Sequence, residues 1–288
     1  AQQLSGEDRT LMLAVARLVV SDSRGSLAEQ VHRRRADPSL PRLEAPLVHL
    51  PPPASRASTA AAPELILETP YGGFSSDGRE YLITLNPGQP TPAPWANVLA
   101  NPLFGTVISE TGGAYSWREN AHEYRLSPWH DDPVSDPSGE ALYLRDEDSG
   151  RVWSPTPQPC PGSGSYRTRH GFGYSVFEHE EDGIHSELTV YVALQAPIKF
   201  SRLKIRNLSG RPRRLSATCY VEWVLGESRS RSAMHVVSES DPVSGALFAR
   251  NPYNMEFSGH VAFLDTDAEV SSFTGDRSEF IGRNGSLS

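Results

Sequence analysis

The sequence predicts a mainly β fold: a large antiparallel β-sandwich preceded by a short helical segment and a Pro/Ala-rich linker. Three observations carry this. Beyond Pro63, short runs such as ELILET, EYLITL, FGTVIS, ALYLRD, GYSVFEHE, IHSELTVYVAL and FSRLKIRNLS follow one another. Turn signals such as SSDG, NPG, EDG and DPVSG separate them. No long helical pattern intervenes, which argues against parallel βαβ units. Finally, two runs alternate as half-buried strands do, with Leu188, Val190, Val192 and Leu194 on one face and Leu215, Ala217, Cys219, Val221 and Trp223 on another. So many strands over this length imply two sheets packed face to face.

Taken in order, residues 1–35 read as a helical connector from a preceding domain. Ser5 can cap a first turn with Asp8 three residues on, and Leu11, Ala14, Val15, Leu18 and Val19 recur at helical spacing. Ser26 restarts a short second helix. Arg33, Arg34 and Arg35 then read as a solvated helix end, where cations favour the dipole. Residues 36–62, rich in Pro, Ala and Ser, form a linker. Residues 63–288 form the sandwich, truncated at its C-terminal end. LKIRNLSGRPRRLSATCYVEW reads as a hairpin turning at Ser209–Pro212, and EFIGR as strand. With no initiating Met, the chain reads as a piece of a longer polypeptide.

Composition narrows the function classes. A formal net charge of -8 over 288 residues argues against a nucleic-acid partner held by a basic face. Hydrophobic content of 38% is that of a globular chain able to bury a core. The two cysteines, Cys160 and Cys219, match no metal motif; Cys219 reads as a buried thiol, and their pairing stays open. There is no membrane-length apolar run and no signal pattern, so a cytoplasmic location is the default expectation.

The stretch Gly112–Ser154 stands apart. Three tryptophans, arginines, an amide and a cluster of carboxylates sit among Gly, Pro and Ser. Flat aromatic faces beside hydrogen-bonding groups suit a sugar ring, which has apolar C–H patches rimmed by hydroxyls. The same residues could instead form a long surface loop whose tryptophans plug the sandwich edge. Asp131, Asp132 and Asp136 are arranged as turn-builders more than as a catalytic carboxylate pair. Elsewhere, HGFGYSVFEHEEDG places His179 and Glu181 on one face but reads as an exposed polar turn. YGGFSSDG precedes a strand, so it lacks the helix N-terminus of a phosphate loop. His170, Glu178 and His179 would be the candidates were the sandwich an independent sugar-modifying enzyme such as an epimerase.

YGGFSSDGREYLI, YRTRHGFGYSVFEHE and the long segment from Thr91 to Pro157 resemble the N-terminal β-sandwich region of glycoside hydrolase family 94, the inverting sugar phosphorylases. In particular they resemble the phosphorylase-like part of cyclic β-1,2-glucan synthases. EDRTLMLAVARLVVSDSRGSLAEQV is similar to the connector before that region. The resemblance implies a galactose-mutarotase-like supersandwich, followed in the parent by a helical linker and an α/α barrel. The barrel would hold the catalytic Asp and the site for inorganic phosphate, a co-substrate, so no catalytic residue, metal or cofactor is expected in this chain. It also implies a β-linked gluco-oligosaccharide partner, a barrel partner on the same polypeptide, a homodimer, and a location in the cytoplasm or the cytoplasmic part of an inner-membrane synthase. Tyr115, Ser116, Trp117, Asn120, Arg125, Trp129 and Asp132 are the expected sugar-facing residues.

Overall fold

The computed structural model describes residues 5–16, 20, 22–32, 64–282 and 285–287. The chain divides into two compact units, residues 1–47 and 48–288. The first holds α1 (Gly6–Val15) and α2 (Leu27–His32). Ser5 caps α1, its Oγ accepting from the Asp8 N–H at 3.0 Å. Ser26 and Glu29 form the reciprocal box, Ser26 N–H donating to Glu29 at 2.8 Å and Glu29 N–H to Ser26 Oγ at 3.3 Å. Val15 is exposed. The side chains of Leu11, Ala14, Leu18 and Val19, the Arg33–Arg35 cluster and the linker at 36–62 lie outside the described residues.

The second unit runs β1 (Leu65–Thr69), β2 (Gly72–Ser75), β3 (Glu80–Leu85), β4 (Ala96–Ala100), β5 (Phe104–Ser109), β6 (Ala114–Arg118), β7 (Glu140–Asp146), β8 (Val152–Trp153), β9 (Tyr166–Gly171), β10 (Tyr174–Glu181), β11 (Ile184–Val192), β12 (Lys199–Asn207) and β13 (Leu215–Val221). A short α3 (Arg229–Ser232) follows, then β14 (Val237–Ser240), β15 (Leu247–Arg250), β16 (Ala262–Leu264) and α4 (Arg277–Ile281). Each strand pairing is antiparallel. A seven-stranded sheet, β1-β2-β3-β9-β10-β11-β12, forms one layer; smaller sheets run β4-β5-β6, β13-β7-β8 and β14-β15-β16.

Alternation explains the layering. Ile184, Ser186, Leu188 and Val190 turn inward along β11. Leu188 and Val190 join Phe177 of β10 against Leu99 and Ile108 of β4 and β5, which seats the β4-β5-β6 sheet on the large one. Leu144 and Trp153, with Ile184, seat the β13-β7-β8 sheet beside it. Tyr124, Leu225, Ala249, Phe257 and Ala262 form a further core beneath β15 and β16.

Several expectations are corrected here. The Gly112–Ser154 stretch is not one long loop, since β6, β7 and β8 lie within it; Trp153 is fully buried. HGFGYSVFEHEEDG is not an exposed turn either. It spans most of β9's end and β10, and His179 and Glu181 are buried because both point to the inner layer. Leu194 falls beyond the end of β11 and is exposed. β12 and β13 do not form a hairpin: β12 pairs with β11, and β13 with β7. The intervening segment crosses between sheets, pinned by Arg213, whose Nε donates to Asp146 at 3.0 Å and whose Nη1 donates to the Asp182 carbonyl at 2.8 Å. Cys219 is exposed rather than buried, because both faces of β13 are uncovered from Ser216 to Cys219, and both thiols are free. Glu279, Phe280 and Ile281 of the EFIGR run are helical, not strand: Asp276 caps α4 by accepting from the Ser278 N–H at 2.8 Å, and Phe280 stacks on Tyr220 at 5.2 Å.

Candidate functional site

Strand alternation on β6 sends Tyr115 and Trp117 outward and Ser116 inward. Opposite Trp117 stands Gly105, where a Cβ would collide with the indole, so the ring lies flat over bare backbone. Tyr115 sits 5.3 Å from Trp117 and 4.8 Å from Trp129, ring centroid to centroid. Trp129, separated from the end of β6 by residues 119–128, is 42% exposed. Three rings thus share one open face, flanked by Val98 and Val107 of the neighbouring strands. Partial burial pushes the Tyr115 phenol up, so it remains a neutral donor.

The inward Ser116 has a different setting. Its Oγ donates to Glu140 at 2.7 Å and accepts from Lys199 Nζ at 2.8 Å. Ser127 Oγ donates to the same carboxylate at 2.5 Å, and Lys199 forms an ion pair with it. Burial alone would raise the Glu140 carboxyl; the Lys199 ammonium and the two hydroxyls outweigh it and hold it below the ordinary range. This network joins β6, β7 and β12 behind the rings.

The remaining predicted residues all make contacts within the chain. Asn120 Oδ1 accepts from the N–H groups of His122 and Glu123 at 2.9 Å each. Asp132 accepts from the N–H groups of Val134 and Ser135 and from the Ser135 hydroxyl, which holds its carboxyl below the usual range. Arg125 donates from Nε to the Ala121 carbonyl and from Nη1 to the Glu227 carbonyl, each at 3.2 Å. The structure therefore brings Tyr115, Trp117 and Trp129 together, places Arg125 opposite Trp117, and sets Asn120 and Asp132 into exposed turns.

Arg125 leads to a feature absent from the sequence reading. It bridges Trp117 on one side and Gly226 on the other. With Gly226 it exchanges both backbone hydrogen bonds, at 3.0 and 3.1 Å. Gly226 opens onto a cleft of about 260 Å³ whose walls include Glu123, Arg231, His235, Tyr253, Asn254 and Glu256. Asn251 and Asn254 fix its rim, donating to the Leu225 carbonyl at 3.0 and 3.4 Å. His235 stacks on Tyr253 at 4.1 Å and 10°. The signal for it was NPYNMEFSG, an aromatic among Asn, Pro and Gly, the same texture that marks Gly112–Ser154.

The histidine candidates do not assemble. His170 bonds Ser175 Oγ at 2.8 Å and the Trp95 carbonyl at 3.0 Å, and burial pushes its ring down to about 4. His179 stacks on Tyr166 at 3.8 Å and faces Glu181 at 3.2 Å, fully buried. Glu178, the next residue along β10, points to the other face, toward Arg169 at 3.5 Å. Among the described residues no three His, Cys, Asp or Glu side chains gather as metal ligands, and no helix is long and apolar enough to cross a membrane.

Residues 79–288 match the family model described as glycosyl hydrolase 94, supersandwich domain. The chain is 42% identical over 218 residues to the cyclic β-(1,2)-glucan synthase of Rhizobium meliloti (strain 1021), covering 75% of this chain and 8% of that protein. It is 32% identical over 223 residues to the N,N'-diacetylchitobiose phosphorylase of Vibrio proteolyticus, covering 74% of this chain and 27% of the relative. A 3-O-β-D-glucopyranosyl-β-D-glucuronide phosphorylase of Paenibacillus borealis is 31% identical over 147 residues, 51% of this chain and 18% of its own length. The chain thus spans under a third of the length of each of these relatives. By its sandwich architecture and by this match over most of its length, the chain belongs to the glycosyl hydrolase 94 family, as a supersandwich domain.

Proposed function

We propose that this domain is a non-catalytic, carbohydrate-engaging module of a larger family-94 protein, a phosphorylase or a cyclic β-1,2-glucan synthase that transfers glucosyl units. The observation that carries the reading is the open face formed by Tyr115, Trp117 and Trp129. Aromatic faces bury the C–H patches of a glucosyl ring, and these rings are already oriented by packing on Gly105 and on one another. Ser116, Asn120, Arg125 and Asp132 then act through the chain: they hold β6 and its loop in register. Catalysis belongs to an α/α barrel on the same polypeptide. There, inorganic phosphate would attack the anomeric carbon while an acid protonates the leaving oxygen. The module supplies one wall of that cleft and supports a homodimer, in the cytoplasm or on the cytoplasmic side of an inner-membrane synthase.

Trp fluorescence during titration with β-1,2-gluco-oligosaccharides tests the reading. A saturable change is expected, abolished by Trp117→Ala with Trp129→Ala; no change up to millimolar sugar would overturn it. The second reading, an interdomain or dimer interface without sugar affinity, draws on the aliphatic flank of Val98, which is 60% exposed, and Val107. Under that reading the same double variant of the full-length protein would lose its oligomer while the sugar KM stayed unchanged.

A further inference from the structure

We infer that the cleft beyond Arg125 is a second glycosyl subsite, continuous with the aromatic face, so that one oligosaccharide runs across both. The inference rests on the sugar reading of that face. Trp117, Arg125 and Gly226 are register partners on three adjacent extended segments. Directly opposed residues of an antiparallel ladder project to the same side, so the indole, the guanidinium and the open position at Gly226 share one face. Neighbouring segments lie about 4.8 Å apart, which puts the backbone at Gly226 about 10 Å from that at Trp117. A chain of a few glucosyl units covers that span.

The cleft has the chemistry such a chain needs. A Cβ on Gly226 would already touch the side chains of Asn254, Ser232 and Asn251 at 3.7–3.9 Å, so any larger side chain would reach into the floor of the cleft that glycine leaves bare. Tyr253 is 72% exposed, yet its ring is held by the stacked His235. An exposed ring already fixed in orientation loses little freedom when a sugar covers its other face. Glu227 is neutralised by its ion pair with Arg231, and Glu123 faces His122 at 2.8 Å. The carboxylate of Glu256, the hydroxyl of Tyr253 and the ring nitrogens of His235 make no hydrogen bond among the described residues. Carboxylates in excess over Arg231, a fixed ring and unengaged polar groups suit an uncharged polyhydroxylated ring rather than an anion. The aromatic face offers mainly ring surface, and the cleft adds a carboxylate and an imidazole to the donors of the rings.

Calorimetric titration with β-1,2-linked glucotriose and glucohexaose distinguishes the possibilities, using Trp117→Ala, Tyr253→Ala and Gly226→Val. Gly226 has no positive φ, so valine is compatible with its backbone, and the methyls beyond a Cβ that already touches Asn254, Ser232 and Asn251 occupy the floor. The hexaose is expected to bind more tightly than the triose. Tyr253→Ala and Gly226→Val should each weaken the hexaose about tenfold and remove its advantage. If both cleft variants bind hexaose like the parent while Trp117→Ala does not, the subsite is overturned and the aromatic face stands. If the cleft variants weaken binding and Trp117→Ala does not, the cleft alone is the site and its continuity with the aromatic face is overturned. No heat from either sugar overturns both.

Discussion

Two parts of this domain treat polar side chains in opposite ways. In the interior, charged groups are closed in on one another. Glu181 accepts from Ser163 N–H at 2.6 Å, faces His179 and is paired with Arg151; Asp146 is held by Arg213, and Glu140 by Lys199. On the ribbon of β6, Arg125 and Gly226, the rings are open and the polar groups beside them serve the backbone, until the cleft is reached. Titratable residues look like chemistry in a sequence, yet here the satisfied ones are architecture. A candidate site is better sought where apolar surface is uncovered and hydrogen-bonding groups are unengaged.

The largest expected effect falls on the interior. The side chains of Arg213 and Asp146 are 3% and 1% exposed. Arg213→Ala would leave Asp146 buried without its cation, at a cost of about 3–5 kcal/mol. The segment crossing from β12 to β13 would lose its anchor with it. Trp129→Ala, on the ribbon, should cost less than about 1 kcal/mol. Urea unfolding of the two variants compares them directly; equal losses would break the contrast.

Acid sharpens it next. Burial holds His170 at about 4, against an ordinary 6.5. Between those values the unfolded chain takes up a proton that the folded chain refuses, so stability falls as pH falls through that window, by about 3 kcal/mol. Glu181 is lowered to about 2: burial opposes this, but the hydrogen bonds from His179 and Ser163 and the charge of Arg151 outweigh it. Its contribution is full above pH 4.5 and is lost as pH falls toward 2. Denaturation midpoints from pH 7 to 3 should therefore fall in two stages, and His170→Gln should flatten the first. An unchanged slope in that variant would show that His170 does not carry it.

How much of this was legible follows from what sets each feature. The antiparallel sandwich follows from alternation and turn residues, both local, so HSELTVYVAL gives β11 as far as Val192, and only Leu194 departs from the reading. β12 and β13 were misjoined because LSGRP is a plausible turn, whereas the partner of each strand is fixed by distant residues. Arg213, in a run of basic residues, gave no sign that one of them is buried. Tyr115, Trp117 and Trp129 were legible as a group because aromatics among Gly, Pro and Ser are poor core material. The cleft was not, since Glu123 and Tyr253 lie far apart in sequence and meet only through the fold.

The smallest effect divides the two roles a ribbon residue can have. Asn120 uses its carbonyl oxygen to accept two backbone N–H groups, and its amide nitrogen makes no hydrogen bond among the described residues. Asn120→Ala removes the acceptor and should cost about 1 kcal/mol. Asn120→Asp keeps an acceptor in the same place and should restore the turn while deleting the amide donor. If Asn120 only shapes the loop, the Asp variant recovers stability and sugar affinity together. If its amide reaches the sugar, stability returns while the Kd rises about threefold to tenfold, the loss of one neutral hydrogen bond. Thermal unfolding and calorimetry on the same two variants separate these outcomes. The geometry favours the first, because Asn120 lies in the turn beyond the rings and closes it from within.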